Sequence, residues 1–182
     1  MDFAQEKTYT IEDIYALPDG QRAELIDGKM YMMTPPSTMH QRLISKLCQK
    51  IANYIDSKAG DCEVFPAPFA VFLNKDSQNY VEPDISVICD KNKLTEQGCN
   101  GAPDWIIEIT SPSNPQNDYG IKLFKYRTAG VREYWIVNPQ KKSVMVHDLE
   151  DEKDSNQYDF EEDIPVCIYD DLIINIAGML QS

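Results

Sequence analysis

Three carboxylates interrupt apolar, strand-like stretches of this chain: Glu24 in Ala-Glu-Leu-Ile, Asp84 before Ile-Ser-Val-Ile, and Glu108 in Trp-Ile-Ile-Glu-Ile. An anion among buried side chains costs several kcal/mol, on the order of the desolvation penalty, unless a cation or donors meet it. Converging carboxylates repel each other and take up protons or a cation. Hard oxygen ligands of this kind suit Mg²⁺ or Mn²⁺. A metal so held lowers the pKa of bound water and neutralises charge developing on a phosphate. A nearby lysine stabilises the same charge. The chemistry these residues fit is metal-assisted hydrolysis of a phosphodiester.

The lysine comes from the stretch after Glu108. A strand pattern ends at Ser111-Pro112-Ser113, where proline stops pairing, and a helix pattern runs from about Asp118 to Ala129. At about 100° per residue, Asp118, Lys122 and Lys125 share one stripe. Ile121 and Phe124 flank it on one side, and Tyr119, Leu123 and Tyr126 on the other. We expect Glu108 and Lys122 to meet in the groove this helix borders. The spacing of Asp118 and Lys122 equally suits an i, i+4 surface pair.

The remaining elements must position these groups. Thr10 caps a short helix that Pro18 ends. Asp27-Gly28 joins two apolar runs as a two-residue hairpin, pairing Ile26 with Lys29, Leu25 with Met30 and Glu24 with Tyr31. Leu43, Ile44, Leu47, Ile51 and Ile55 mark an amphipathic helix over residues 38–57. His40 lies in its first turn, a placement that suits a surface or capping histidine as well as an accessory site residue. Strands are expected at residues 62–65, 69–73, 81–89, 131–137, 143–147 and 172–174. Residues 89–103 read as a loop, and the acidic stretch that follows residue 147 as a loop or ragged hairpin.

Composition bounds the function. The 182 residues suit one domain, taken as residues 1–182, with a sizeable core. Neither a membrane span nor a secretion signal is read in the sequence. Five widely spaced cysteines and two histidines predict neither a zinc site nor a disulfide framework, and a cytoplasmic setting. Net charge is −13, and residues 148–163, with nine acids and one lysine, carry −8 of it. An acidic protein does not draw nucleic acid by its bulk field, so that segment is expected to lie away from any groove.

Glu24-Leu-Ile-Asp-Gly, Pro83-Asp84, Glu108-Ile-Thr-Ser-Pro-Ser, the Lys122 helix and Ala129-Gly-Val-Arg-Glu-Tyr-Trp-Ile-Val-Asn-Pro occur in that order. Together they resemble the Uma-two family of bacterial endonucleases, in the PD-(D/E)XK, restriction-endonuclease-like superfamily. The likeness covers residues 8–180. It implies an α/β fold in the α+β sense, a mixed β-sheet flanked by helices with the acids at one end of the central hairpin. It implies a Mg²⁺- or Mn²⁺-dependent endonuclease acting on DNA, and a homodimer. By the resemblance, Asp84 and Glu108 are the metal acids and Glu24 the upstream glutamate. The superfamily's lysine lies two residues after the second acid, a position held here by Thr110. The resemblance assigns that role to Lys122, with Lys125 in reserve. Two other classes fit parts of the pattern: a catalytically silent nuclease fold that binds nucleic acid or protein, which the net charge favours, and a two-carboxylate glycosidase, which needs an aromatic-lined cleft.

Overall fold

The computed structural model describes residues 7–111, 120–151 and 155–181. The expected break at Pro112 and the helix start at Asp118 lie outside the described residues.

Helix α1 (Ile11–Tyr15) begins at Thr10, whose backbone N–H donates to Asp13 Oδ2 at 2.8 Å. Strands β1 (Ala23–Ile26) and β2 (Lys29–Met32) form the expected hairpin in the expected register, Glu24 opposite Tyr31. Its turn places Asp27 at φ 49° and Gly28 at φ 74°, the left-handed pair of a type I′ two-residue hairpin. A Cβ on Gly28 would stand 2.4 Å from Thr8 Cγ2, so any other residue there would displace Thr8. Helix α2 (Thr38–Ser57) starts at Ser37, whose Oγ accepts from the His40 N–H at 3.2 Å. Its buried face carries Leu43, Ile44, Leu47, Ile51 and Ile55.

The chain then lays down β3 (Glu63–Pro66), β4 (Val71–Phe72) and β5 (Ile85–Ile88). After β5 the expected loop is partly structured. A 3-10 turn at Lys91–Lys93 leads into β6 (Leu94–Thr95) and β7 (Gly98–Asn100), and β7 pairs with β4 and β6 in a small sheet. Two- and three-residue strands are too short to register as a sequence period. Strand β8 (Trp105–Ile109), helix α3 (Ile121–Ala129) and strand β9 (Glu133–Asn138) form a crossover unit. The helical crossover makes β8 and β9 parallel, where a tight turn could not. Gly130 ends α3 in the left-handed conformation at φ 97°.

Strands β10 (Ser143–Asp148) and β11 (Asn156–Asp159) complete a six-stranded mixed sheet of order β11-β10-β9-β8-β5-β3. The acidic stretch thus supplies the sheet's edge strand. The last residues form β12 (Ile164–Pro165), β13 (Ile173–Ile174) and an unexpected closing helix α4 (Ile176–Gln181). Side-chain alternation splits the sheet into two faces. Trp105, Ile107, Trp135 and Val137 pack with the apolar stripe of α2, and Ile106, Tyr134 and Ile136 pack with Tyr126 of α3. A mixed sheet between helices is the architecture the resemblance implied.

A correction concerns the cysteines. Cys62 and Cys89 form a disulfide, where none was expected. The antiparallel β3–β5 register pairs Glu63 with Ile88, and one step further sets Cys62 opposite Cys89. Twenty-seven residues of sequence hid a cross-strand pair.

A candidate active site at the end of the central sheet

The antiparallel β5–β8 register pairs Ile85 with Ile107. The paired residues stop there, and Asp84, directly before β5, and Glu108, within β8, lie at the same end of the sheet. Each is held from a different layer. Asp84 Oδ2 accepts from the Ile109 backbone N–H at 2.7 Å and lies 3.1 Å from His40 Nε2, which α2 delivers from its first turn. Glu108 Oε1 accepts from Lys122 Nζ at 2.8 Å and from the Tyr126 hydroxyl at 2.7 Å, both carried by α3.

Lys122 is only 5% exposed, and its ammonium also lies 2.8 Å from Glu24 Oε2. Glu24 is fixed in turn, its Oε1 accepting from the Glu82 N–H at 3.0 Å. Tyr126 is wholly buried, and burial, then the charge of Glu108, holds its hydroxyl well above the usual phenol range. It therefore serves as a neutral donor. The helix turns its Lys122–Tyr126 stripe inward and leaves Ile121 and Phe124 exposed, so of the two expected apolar flanks only that of Leu123 and Tyr126 packs.

Glu24, His40, Asp84, Glu108 and Lys122 line one open cleft, walled by Tyr31, Met32, Met33, Pro35 and Pro36. Lys125, the reserve lysine, points elsewhere and pairs with Asp27 at the hairpin turn. Thr110 is buried, with its N–H donating to Val137 O at 2.9 Å. Among the described residues, the acids of 148–163 do not line this cleft, and β11 lies at the far edge, three strands from β8.

Three residues escaped the sequence reading. Tyr126 reads as an apolar flank, although its hydroxyl meets Glu108. Arg22 lines the cleft and donates through Nε (2.7 Å) and Nη2 to Glu82 Oε2. Glu82 is buried, and its Oε1 accepts from the Tyr80 hydroxyl at 2.7 Å. The signal for Glu82 was present: a further acid directly before Pro83-Asp84, in a run with buried neighbours.

Residues 11–170 match the family model described as "Putative restriction endonuclease" (Uma2). The chain belongs to this family. An uncharacterized protein from Synechocystis is 27% identical over 135 residues, spanning 74% of this chain and 70% of the relative. A crystal structure from Anabaena variabilis, described as a "putative nuclease belonging to DUF820", superposes with a TM-score of 0.77 at 21% identity. It covers 94% of this chain and 97% of the other. That likeness shows the fold of this Uma2-family chain, a nuclease-like mixed sheet with helices on its faces.

The donor set fits a divalent cation. The formal charges of Glu24, Asp84, Glu108 and Lys122 leave the cluster at −2. Among the described residues no group of three or more His, Cys, Asp or Glu gathers around one point. Asp84 and Glu108 are two, and Mg²⁺ is bound by one or two carboxylates together with substrate phosphates rather than by an all-protein cage.

Proposed function

We propose that the protein is a Mg²⁺- or Mn²⁺-dependent endonuclease that hydrolyses phosphodiester bonds of DNA in this cleft. The observation that carries the reading is the buried Lys122 ammonium, 2.8 Å from both Glu24 and Glu108, in one cleft with Asp84. Asp84 and Glu108 would hold the metal, which when bound supplies a water of lowered pKa and neutralises phosphate charge. Lys122 places a fixed positive charge where charge develops on the phosphate. Glu24, itself held by the Glu82 N–H, keeps that ammonium in place, and Tyr126 fixes the Glu108 carboxylate. His40 orients Asp84. No helix among the described residues is long and apolar enough to cross a membrane, and we place the enzyme in the cytoplasm. There glutathione favours the thiol form of Cys62 and Cys89. A homodimer suits this reading, because two copies of the site address the two strands of a duplex. Sedimentation as a monomer at working concentration would remove that part.

A second reading is a silent nuclease fold that binds nucleic acid or protein. The net charge of −13 favours it, as does the sealing of Lys122 between two carboxylates. The test is nicking of supercoiled plasmid DNA in Mg²⁺, Mn²⁺ or EDTA, beside metal titration by calorimetry. Metal-dependent nicking that Asp84→Asn abolishes supports the nuclease. Neither nicking nor metal binding by the unmodified protein selects the silent fold.

A further inference from the structure

We propose that Arg22 binds a second phosphate of the nucleic-acid chain, next to the one at the carboxylate cluster, and that Glu82 is the residue that positions it. The inference rests on the nucleic-acid reading above and adds to it a cation outside the Lys122 cluster.

Arg22 immediately precedes β1 and has its backbone fixed, its carbonyl accepting from the Met33 N–H at 2.8 Å. Its side chain is 39% exposed and lines the cleft, whereas Lys122, the other permanent cation there, is buried. The pair with Glu82 uses Nε and Nη2, two of the five N–H donors of a guanidinium. The group is thus aimed without being used up. Planar guanidinium forks match phosphate oxygens, and one whose rotamer is already fixed loses little entropy on binding.

Glu82 explains why the arginine is held at all. Its carboxylate is buried and takes Arg22 on Oε2 and the Tyr80 hydroxyl on Oε1. Its backbone N–H holds Glu24, which holds Lys122. One residue therefore sets both cations of the cleft, the exposed one through its side chain and the buried one through its main chain. A surface ion pair alone would not need a buried carboxylate with a second donor. In a chain of net charge −13, an oriented cation inside the cleft is what a phosphate would find in place of a basic surface.

The test is binding of a short fluorescein-labelled single-stranded DNA, read by anisotropy in EDTA from 50 to 200 mM salt, for unmodified protein, Arg22→Ala, Arg22→Lys and Glu82→Gln. A lost phosphate contact predicts that Arg22→Ala weakens binding by about 10-fold and makes the slope of log K against log salt shallower by roughly 0.7. Arg22→Lys should keep the slope and lose part of the affinity. Glu82→Gln should keep the slope while weakening binding less than Arg22→Ala. A merely structural role moves the melting temperature and leaves the slope alone. An unchanged slope and affinity for a folded Arg22→Ala, with the unmodified protein binding, overturns the proposal and leaves the nuclease reading standing. The predicted slope change in a protein that cleaves nothing keeps the proposal and sinks the nuclease. No binding by the unmodified protein overturns the proposal, and the plasmid assay in Mg²⁺ or Mn²⁺ decides the nuclease reading separately.

Discussion

Asp84 and Glu108 lie at the same end of the β5–β8 strand pair, and opposite layers of the protein hold them: His40 of α2 at Asp84, Lys122 and Tyr126 of α3 at Glu108. Each carboxylate thus has its own partners, a histidine and a backbone N–H for Asp84 and a lysine and a phenol for Glu108.

Asp84→Asn should weaken Mn²⁺ or Mg²⁺ binding by about 10-fold or more, since an anionic ligand becomes a neutral carbonyl. Nicking should fall with it. Calorimetric titration beside a plasmid assay measures both, and metal affinity equal to that of the unmodified protein would remove Asp84 from the metal site.

Lys122→Ala should leave metal affinity nearly unchanged or slightly higher, and lower cleavage on the order of 10²-fold. It should also cost about 3–5 kcal/mol of stability, because Glu24 and Glu108 stay buried without their cation. Adding Glu24→Gln should return part of the stability and none of the cleavage. Denaturant melts and nicking rates separate the two effects, and full cleavage by a folded Lys122→Ala would end its catalytic assignment.

Stability should fall as pH drops through the ordinary histidine range, in part through His147. That ring is buried, stacks on Tyr134 at 5.7 Å, and has Nδ1 2.5 Å from Ser155 Oγ. Burial, then the charge of Arg127, pushes its pKa down. The folded state therefore keeps it neutral while the unfolded chain takes up a proton below about pH 6.5. The contribution is present above that pH and is lost as pH falls toward the depressed folded value. His147→Gln should melt with a shallower pH dependence between about pH 7 and 5. Parallel curves for the two proteins would show that His147 does not contribute.

Reducing Cys62–Cys89 should lower the melting temperature and leave secondary structure in place. Closing a loop of this length constrains the unfolded chain by about 3.5 kcal/mol. The β3–β5 pairing and the packing on α2 do not depend on the bond. Thermal melts followed by circular dichroism, with and without reductant, check both parts. Loss of the sheet signal on reduction would mean that the bond holds the strand pair together.

Local chemistry in the sequence determined much of this fold. Asp27-Gly28 fixed the β1–β2 register to the residue, because this dipeptide readily adopts the left-handed pair of a type I′ two-residue turn. The apolar period over residues 38–57 fixed α2, since a core face repeats every 3.6 residues. Acids inside apolar strands marked Glu24, Asp84 and Glu108, whose burial carries a cost that demands a partner. Who those partners are is not a local property. Lys122 meets Glu108 from fourteen residues away, and Arg22 meets Glu82 from sixty. Tyr126 shows only an apolar side chain to a periodicity argument, and its hydroxyl matters because α3 packs over Glu108. Cys62 and Cys89 became a pair through strand register alone. Tertiary structure decided these because partners that satisfy a buried charge are chosen by distance in space, which the chain sets only after its layers have packed.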